Sequence, residues 1–230
     1  MEIDYNTVIS TIVGALAGGL VTIAVTIAVE MLRRPVLKLE IRQPIDKSFL
    51  DEWPAQRARF LHLYVRNIPL PGLLSWMSRN EATDSWGVMS FHHLNDGQNI
   101  FGHDMPVRWT ESTEPHNAVQ QYGYLDTDLM RVNSRRDIQP GETELMDVIA
   151  RFDDESSCYG WNNESYYCSP LWRNPRWEIK PGRYISRVEI RTSGRKFVQY
   201  FRLCNEGAIN SFRIESPQDE DGREIQSVTI

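Results

Sequence analysis

His92-His93, followed by His103-Asp104, is the chain's best group of metal-ligating residue types. Zinc needs three or four converging ligands. Neighbouring strand residues point to opposite faces, so His92 and His93 cannot easily hold one ion together. Two strand histidines, one packed and one in water, account for the pair, and neither a metal nor another cofactor is assigned. Acid–base chemistry would need paired carboxyls, and Asp153-Asp154 and Glu111 with Glu114 are the candidates. Nothing in the sequence places a reaction partner near them, and loop acids are ordinarily solvated. No Gly-rich phosphate loop, Ser/His/Asp order or Cys/His pairing stands out. An enzyme is therefore the least supported class.

Recognition is better served. Tyr159, Trp161, Tyr166, Tyr167, Trp172 and Trp177 crowd one stretch, with Arg173 and Arg176 between them. Aromatic rings and arginine dominate binding hot spots, and a guanidinium stacks on rings or clamps a phosphate or carboxylate. Tyr159, Trp161, Trp172, Arg173, Arg176 and Trp177 form the candidate ligand- or partner-binding set. The competing reading is a long loop that folds over one end of the head and buries its own rings. A second set lies near the N-terminus. Ser10, Gly14, Gly18, Thr22 and Thr26 recur every fourth residue. Gly14 and Gly18, continued by Thr22, let two helix backbones approach closely in lipid, which predicts a homo-oligomer through this face. Small residues are also common in membrane helices without any such role.

The elements that position these residues fall into two unlike parts. Residues 5–29 carry no charge, and residues 1–4 are acidic while Arg33, Arg34, Lys38 and Arg42 follow. About 20 apolar residues cross the hydrocarbon core, so residues 7–32 are expected to sit in a lipid bilayer. A cleaved signal peptide would need a basic start and a shorter apolar stretch, so an uncleaved anchor is the better reading. Positive charge collects on cytoplasmic flanks. The expectation is a single-pass protein of the cell membrane, with the N-terminus outside and the head cytoplasmic. Three cysteines and no C-x-x-C fit a reducing compartment, although Cys158 and Cys168 flank one loop and could pair if the orientation were reversed.

After residue 35 the chain reads as strands. Leu37, Leu39 and Ile41 alternate with Lys38, Glu40 and Arg42, and Leu61, Leu63 and Val65 alternate with His62 and Tyr64. Further strands are expected over 86–94, 142–152, 183–192 and 196–204, and a last one within 209–215. Asp96-Gly97 and Ser193-Gly194 mark tight turns. Residues 73–77 read as a helical turn, and 110–136 and 153–177 as long irregular stretches. Leu37, Leu39, Ile41, Leu61, Leu63, Val65 and Val198 are expected to face inward. No amphipathic helix alternates with the strands, so a parallel α/β sheet is excluded. The predicted fold is mainly β: an N-terminal transmembrane helix over 1–34, an antiparallel β-sandwich with long loops over 35–216, and a C-terminal tail over 217–230.

Two phrases bear a resemblance. Ile138-Gln139-Pro140-Gly141-Glu142 leads into one strand, and Ile179-Lys180-Pro181-Gly182-Arg183-Tyr184 opens a hairpin closed by residues 196–203. With LHLYVRN near the start of the head and VRW mid-chain, the layout resembles uncharacterised prokaryotic, often archaeal, membrane-anchored proteins with an immunoglobulin-like β-sandwich head. The resemblance covers residues 36–204 and implies a fold, not an activity. The Cys-Trp-Cys core of antibody domains is absent.

The net charge of −6 argues against a nucleic-acid partner, though it leaves room for a local basic pocket for a small anion. The expected function is binding, by the head, of a protein partner or small ligand at the membrane face. The alternatives are a structural subunit of a membrane complex or a membrane-perturbing defence effector.

Overall fold

The computed structural model describes residues 5–49, 56–74, 76–113, 134–168 and 172–217. The uncharged stretch forms one helix, α1 (Tyr5–Arg33). Its segment Ile9–Arg33 reaches a mean hydropathy of 2.4 over a stretch of 18 residues with no buried side chain, so it is long and apolar enough to cross a bilayer. The Thr22 and Thr26 hydroxyls donate to the Gly18 and Thr22 carbonyls at 2.9 Å. Their polarity is thus satisfied within the helix, as an apolar solvent requires. A Cβ added at Gly14 or Gly18 would meet nothing within 4 Å, so that face is bare.

The far end of α1 is held by the head. The last carbonyls of a helix lack intrahelical partners. Here Arg79 Nη1 donates to the Leu32 carbonyl at 3.3 Å and to the Arg34 carbonyl at 2.8 Å. The Asn80 amide donates to the Arg33 carbonyl at 2.5 Å, and Arg33 Nε donates back to the Ser78 carbonyl at 3.3 Å. Asn67, fully buried, ties the same junction to the sheets. Its side-chain amide donates to the Asn80 and Ile138 carbonyls at 3.1 and 3.0 Å, and its Oδ1 accepts from the Val36 amide at 3.4 Å.

The head consists of strands β1 (Leu37–Ile41), β2 (Ile45–Phe49), β3 (Gln56–Asn67), β4 (Ala82–His93), β5 (Met105–Pro106), β6 (Arg108–Trp109), β7 (Arg136–Ile138), β8 (Thr143–Phe152), β9 (Cys158–Gly160), β10 (Glu178–Ile179), β11 (Gly182–Arg191), β12 (Lys196–Asn205) and β13 (Arg213–Glu215). They form two antiparallel sheets. One runs β1-β3-β8-β9-β10, with β2 beside β3 and β6 beside β8. The other runs β13-β12-β11-β4-β5, with β7 beside β4. The main core lies between them: Leu39, Leu63, Val65 and Met146 from the first sheet meet Met89, Phe91, Val188, Ile190 and Phe201 from the second. Gln199 on β12 spans the gap at one edge, its amide exchanging two 3.1 Å hydrogen bonds with the backbone of Leu39 on β1. The side chain thereby covers part of an otherwise unpaired strand edge.

The strand alternation places Leu37, Leu39, Leu61, Leu63 and Val65 inside, as expected. Ile41 and Val198 are corrections, with 37 % and 42 % of their surface exposed. Ile41 ends β1, where cover from the second sheet gives out. On β12 the inward positions include Phe201 and Leu203, so Val198 has the opposite parity and lies on the outer face across from Glu189. The expected helical turn is a shorter 3-10 turn, Gly72–Leu74. The stretch 153–177 is less irregular than its composition implies, because β9 adds to the first sheet and the 3-10 turns Asn163–Tyr167 and Pro175–Trp177 shape the rest. Of the expected tail, residues 218–230 lie outside the described residues, as do 114–133 of the other stretch.

Candidate functional site

The aromatic–arginine set divides when folded. Tyr159, Trp161 and Tyr166 join Ala58, Phe60, Ala150 and Phe152 in a second apolar cluster on the outer face of the first sheet, with Trp172 packed against it. Trp161 meets the Phe60 ring at 4.4 Å between centroids. Trp177 belongs instead to the main core, and its indole N–H donates to Glu164 at 2.8 Å. Arg173 closes this loop: it donates to both Asp154 oxygens at 2.8 and 2.9 Å, lies 3.2 Å from Glu155 and stacks 4.3 Å over the Phe152 ring. Arg176 is more open, 4.9 Å over the Trp177 ring and 3.2 Å from His103 Nε2. The structure thus brings Tyr159, Trp161, Trp172 and Arg173 together in packing, and leaves Arg176 as the member that presents charge to solvent.

The other chemical candidates disperse. His92 is buried between the Ser90 hydroxyl at 2.9 Å and the Gly97 carbonyl at 2.8 Å, whereas His93 is exposed beside the Tyr184 ring. His103 packs on Trp177. Among the described residues no three His, Cys, Asp or Glu side chains are grouped to hold a metal. Asp153 accepts from the Arg57 amide and Asp154 from Arg173, so both hold loops in place. Glu114 lies outside the described residues. All three cysteines are free thiols. Burial pushes Cys158 well above the ordinary thiol range, and burial with the nearby Glu215 raises Cys204 to about 11. Such thiols are poor nucleophiles.

A buried polar group stands behind the aromatic cluster. Asp147 is fully buried and accepts from Arg108 at 3.1 Å and from the Thr110 hydroxyl at 2.5 Å, with His62 Nε2 at 3.4 Å. A β-bulge places it there: Leu61 pairs with Ile149 but His62 with Asp147, so Val148 is extra. Burial, followed by the positive charges of Arg42 and Lys47, lowers the His62 pKa to about 4. Asp147 offers little counter-pull because its charge is already shared by Arg108. His62 is therefore a neutral imidazole at neutral pH. One sign of this group is legible in the sequence, an aspartate inside the apolar run LMDVIA.

The cleft that sequence reading missed opens where α1 meets the head. It has a volume of about 580 Å³ and is lined by Arg34, Pro35, Asn80, Glu81, Thr83 and the turn Thr192–Arg195. Hydrogen bonds fix its walls: Thr83 Oγ1 to Ser193 Oγ at 2.6 Å, and the Ser193 amide to the Thr83 carbonyl at 3.1 Å. Arg34 and Arg195 are exposed and form no ion pair among the described residues. Two guanidiniums beside hydroxyls, against the single carboxylate of Glu81 in the lining, suit a phosphate or carboxylate. Their separation in sequence hid this pairing, since only the docking of α1 brings residue 34 to residue 195.

No protein-family model, curated protein or solved structure matches the chain. Function therefore rests on this geometry.

Proposed function

We propose that the chain is a single-pass membrane protein whose head is a binding module held against the membrane face, and that the cleft beside Arg34 and Arg195 receives an anionic group there. The clamp on the end of α1 carries this reading. Arg79 and Asn80 occupy the carbonyls of residues 32–34, so the head is built to keep the helix. A removable leader would need no such cap. The capped turn lies at the charged end of the apolar segment, which supports a cleft at headgroup level. The excess of arginine on this flank favours a cytoplasmic head.

A structural role within a complex is the second reading, and one observation favours it. The Gly14 and Gly18 face is bare, and the Thr22 hydroxyl is satisfied within its own helix. Close helix–helix packing there needs no new polar contact.

The cleft is tested with the intact protein in detergent micelles, by calorimetric titration with inorganic phosphate and with a short-chain phosphatidylglycerol. The wild type should bind at least one of them, and Arg34→Gln with Arg195→Gln should lose most of that affinity. A wild type that binds neither, or a double variant that binds equally well, removes the cleft as a site.

A further inference from the structure

Outside α1, two apolar side chains are far more exposed than any others described. Leu73 is 93 % and Trp76 77 % exposed; the next are Leu94 at 47 % and Val198 at 42 %. Both belong to the connection between β3 and β4, whose sequence is IPLPGLLSWMSRNE. The Leu74 amide donates to the Pro71 carbonyl at 2.8 Å and the Met77 amide to the Leu74 carbonyl at 2.9 Å, forming two successive tight turns. Leaving a tryptophan and a leucine this exposed is unfavourable in water, because each gains roughly 1.5–3 kcal/mol on burial.

The location of the turn explains the exposure. Ser78, Arg79 and Asn80 are hydrogen-bonded to residues 32–34 at the end of the apolar helix. Trp76 is two residues from Ser78, so chain geometry keeps its backbone within about 7 Å of Ser78, which is itself hydrogen-bonded to Arg33 at the helix end. The interfacial zone on each side of the hydrocarbon core is itself about 5–7 Å deep. Tryptophan favours this zone, its ring apolar and its N–H wet. Arg33, Arg34 and Arg79 lie around the same point and suit lipid phosphates.

We propose that the turn carrying Leu73 and Trp76 is a second membrane contact, inserted into the headgroup–acyl boundary of the bilayer beside α1. This rests on the reading of α1 as a membrane span. The turn and the helix then make a two-point attachment, which fixes the tilt of the head and the side on which its cleft opens. The occupant of the apolar surface is lipid, not a second copy of the chain or a soluble partner, because the turn is continuous with the end of the span.

The test uses the full chain carrying Cys168→Ser, which leaves only the buried Cys158 and Cys204. Single cysteines are introduced as Val21→Cys, Leu73→Cys and Leu94→Cys and labelled with an environment-sensitive fluorophore. The proteins are reconstituted into vesicles of phosphatidylcholine and phosphatidylglycerol, with and without brominated acyl chains. Position 21 lies within the helix. Position 94 follows the distal end of the 12-residue β4, about 40 Å from the junction. Bromolipid should quench positions 21 and 73 several-fold more than position 94. Quenching at 21 without quenching at 73 overturns the inserted turn while the span stands. No quenching at either position overturns both. A blue-shifted probe at 73 that bromolipid does not reach places the turn against protein, and equal quenching at 73 and 94 means the head lies on the membrane without a specific contact; each defeats the proposal.

Discussion

His62 and Arg173 show how single residues are tuned by the outer face of the first sheet. His62 stays neutral in the fold down to about pH 4, whereas an unfolded histidine takes a proton near 6.5. Between those values the unfolded chain binds a proton that the fold refuses. Stability is therefore full above pH 6.5 and falls as pH drops toward 4, by about 3 kcal/mol in total. His62→Gln should remove this part of the slope, as urea denaturation at pH 7, 6 and 5 would show; an unchanged slope would refute the assignment. The two loop arginines should differ. Arg173 is 14 % exposed on its side chain with two acidic partners, and Arg176 is 56 % exposed. Arg173→Ala should lower stability by roughly 1–3 kcal/mol by leaving a partly buried carboxylate without its cation, while Arg176→Ala should change it by less than about 0.5 kcal/mol. Thermal unfolding of the two variants side by side distinguishes these outcomes.

At the scale of elements, the junction of α1 with β3 and β4 is where the fold depends on buried polar groups. Asn67 joins the residue that opens the head, the connection before β4 and the end of β7 through three side-chain hydrogen bonds. Asn67→Ala strands two carbonyls and one amide in a buried site, and each stranded group costs about 1–3 kcal/mol unless water reaches it. A loss of roughly 2–4 kcal/mol is expected in denaturant unfolding of the detergent-solubilised protein. Lys38→Ala, on the exposed side of β1, should change little, since its surface pair with Glu40 contributes at most about 1 kcal/mol. Equal effects from the two would show that the junction is not rigid.

For the whole molecule, the proposed orientation follows from one exposed apolar helix, a polar head and arginines concentrated at their junction. Protease added to sealed cells should leave the head intact, and digestion should follow only after the cells are opened. Digestion of the head in sealed cells would place it outside and remove the cytoplasmic reading. The proposed cytoplasmic head agrees with the free thiols, because that compartment keeps thiols reduced.

What the sequence determined by itself is whatever depends on neighbours along the chain. The uncharged run specified α1, and two-residue alternation specified the main strands and the inward Leu37, Leu39, Leu61, Leu63 and Val65. The aromatic and arginine crowding of 159–177 was equally legible, but not its fate. Whether those rings bind or pack depends on the outer face of β3 and β8, which supplies Phe60, Ala150 and Phe152 as their seat. The short strands β9 and β10 were hidden for a related reason: two or three residues carry no readable period, and only an existing sheet edge makes them strands. The cleft, the clamp on α1 and the exposed turn at Leu73 and Trp76 were decided by tertiary structure alone. The cleft and the clamp join residues far apart in sequence, Arg34 with Arg195 and Leu32 with Arg79, and such pairings exist only after the helix end has found its partners on the head.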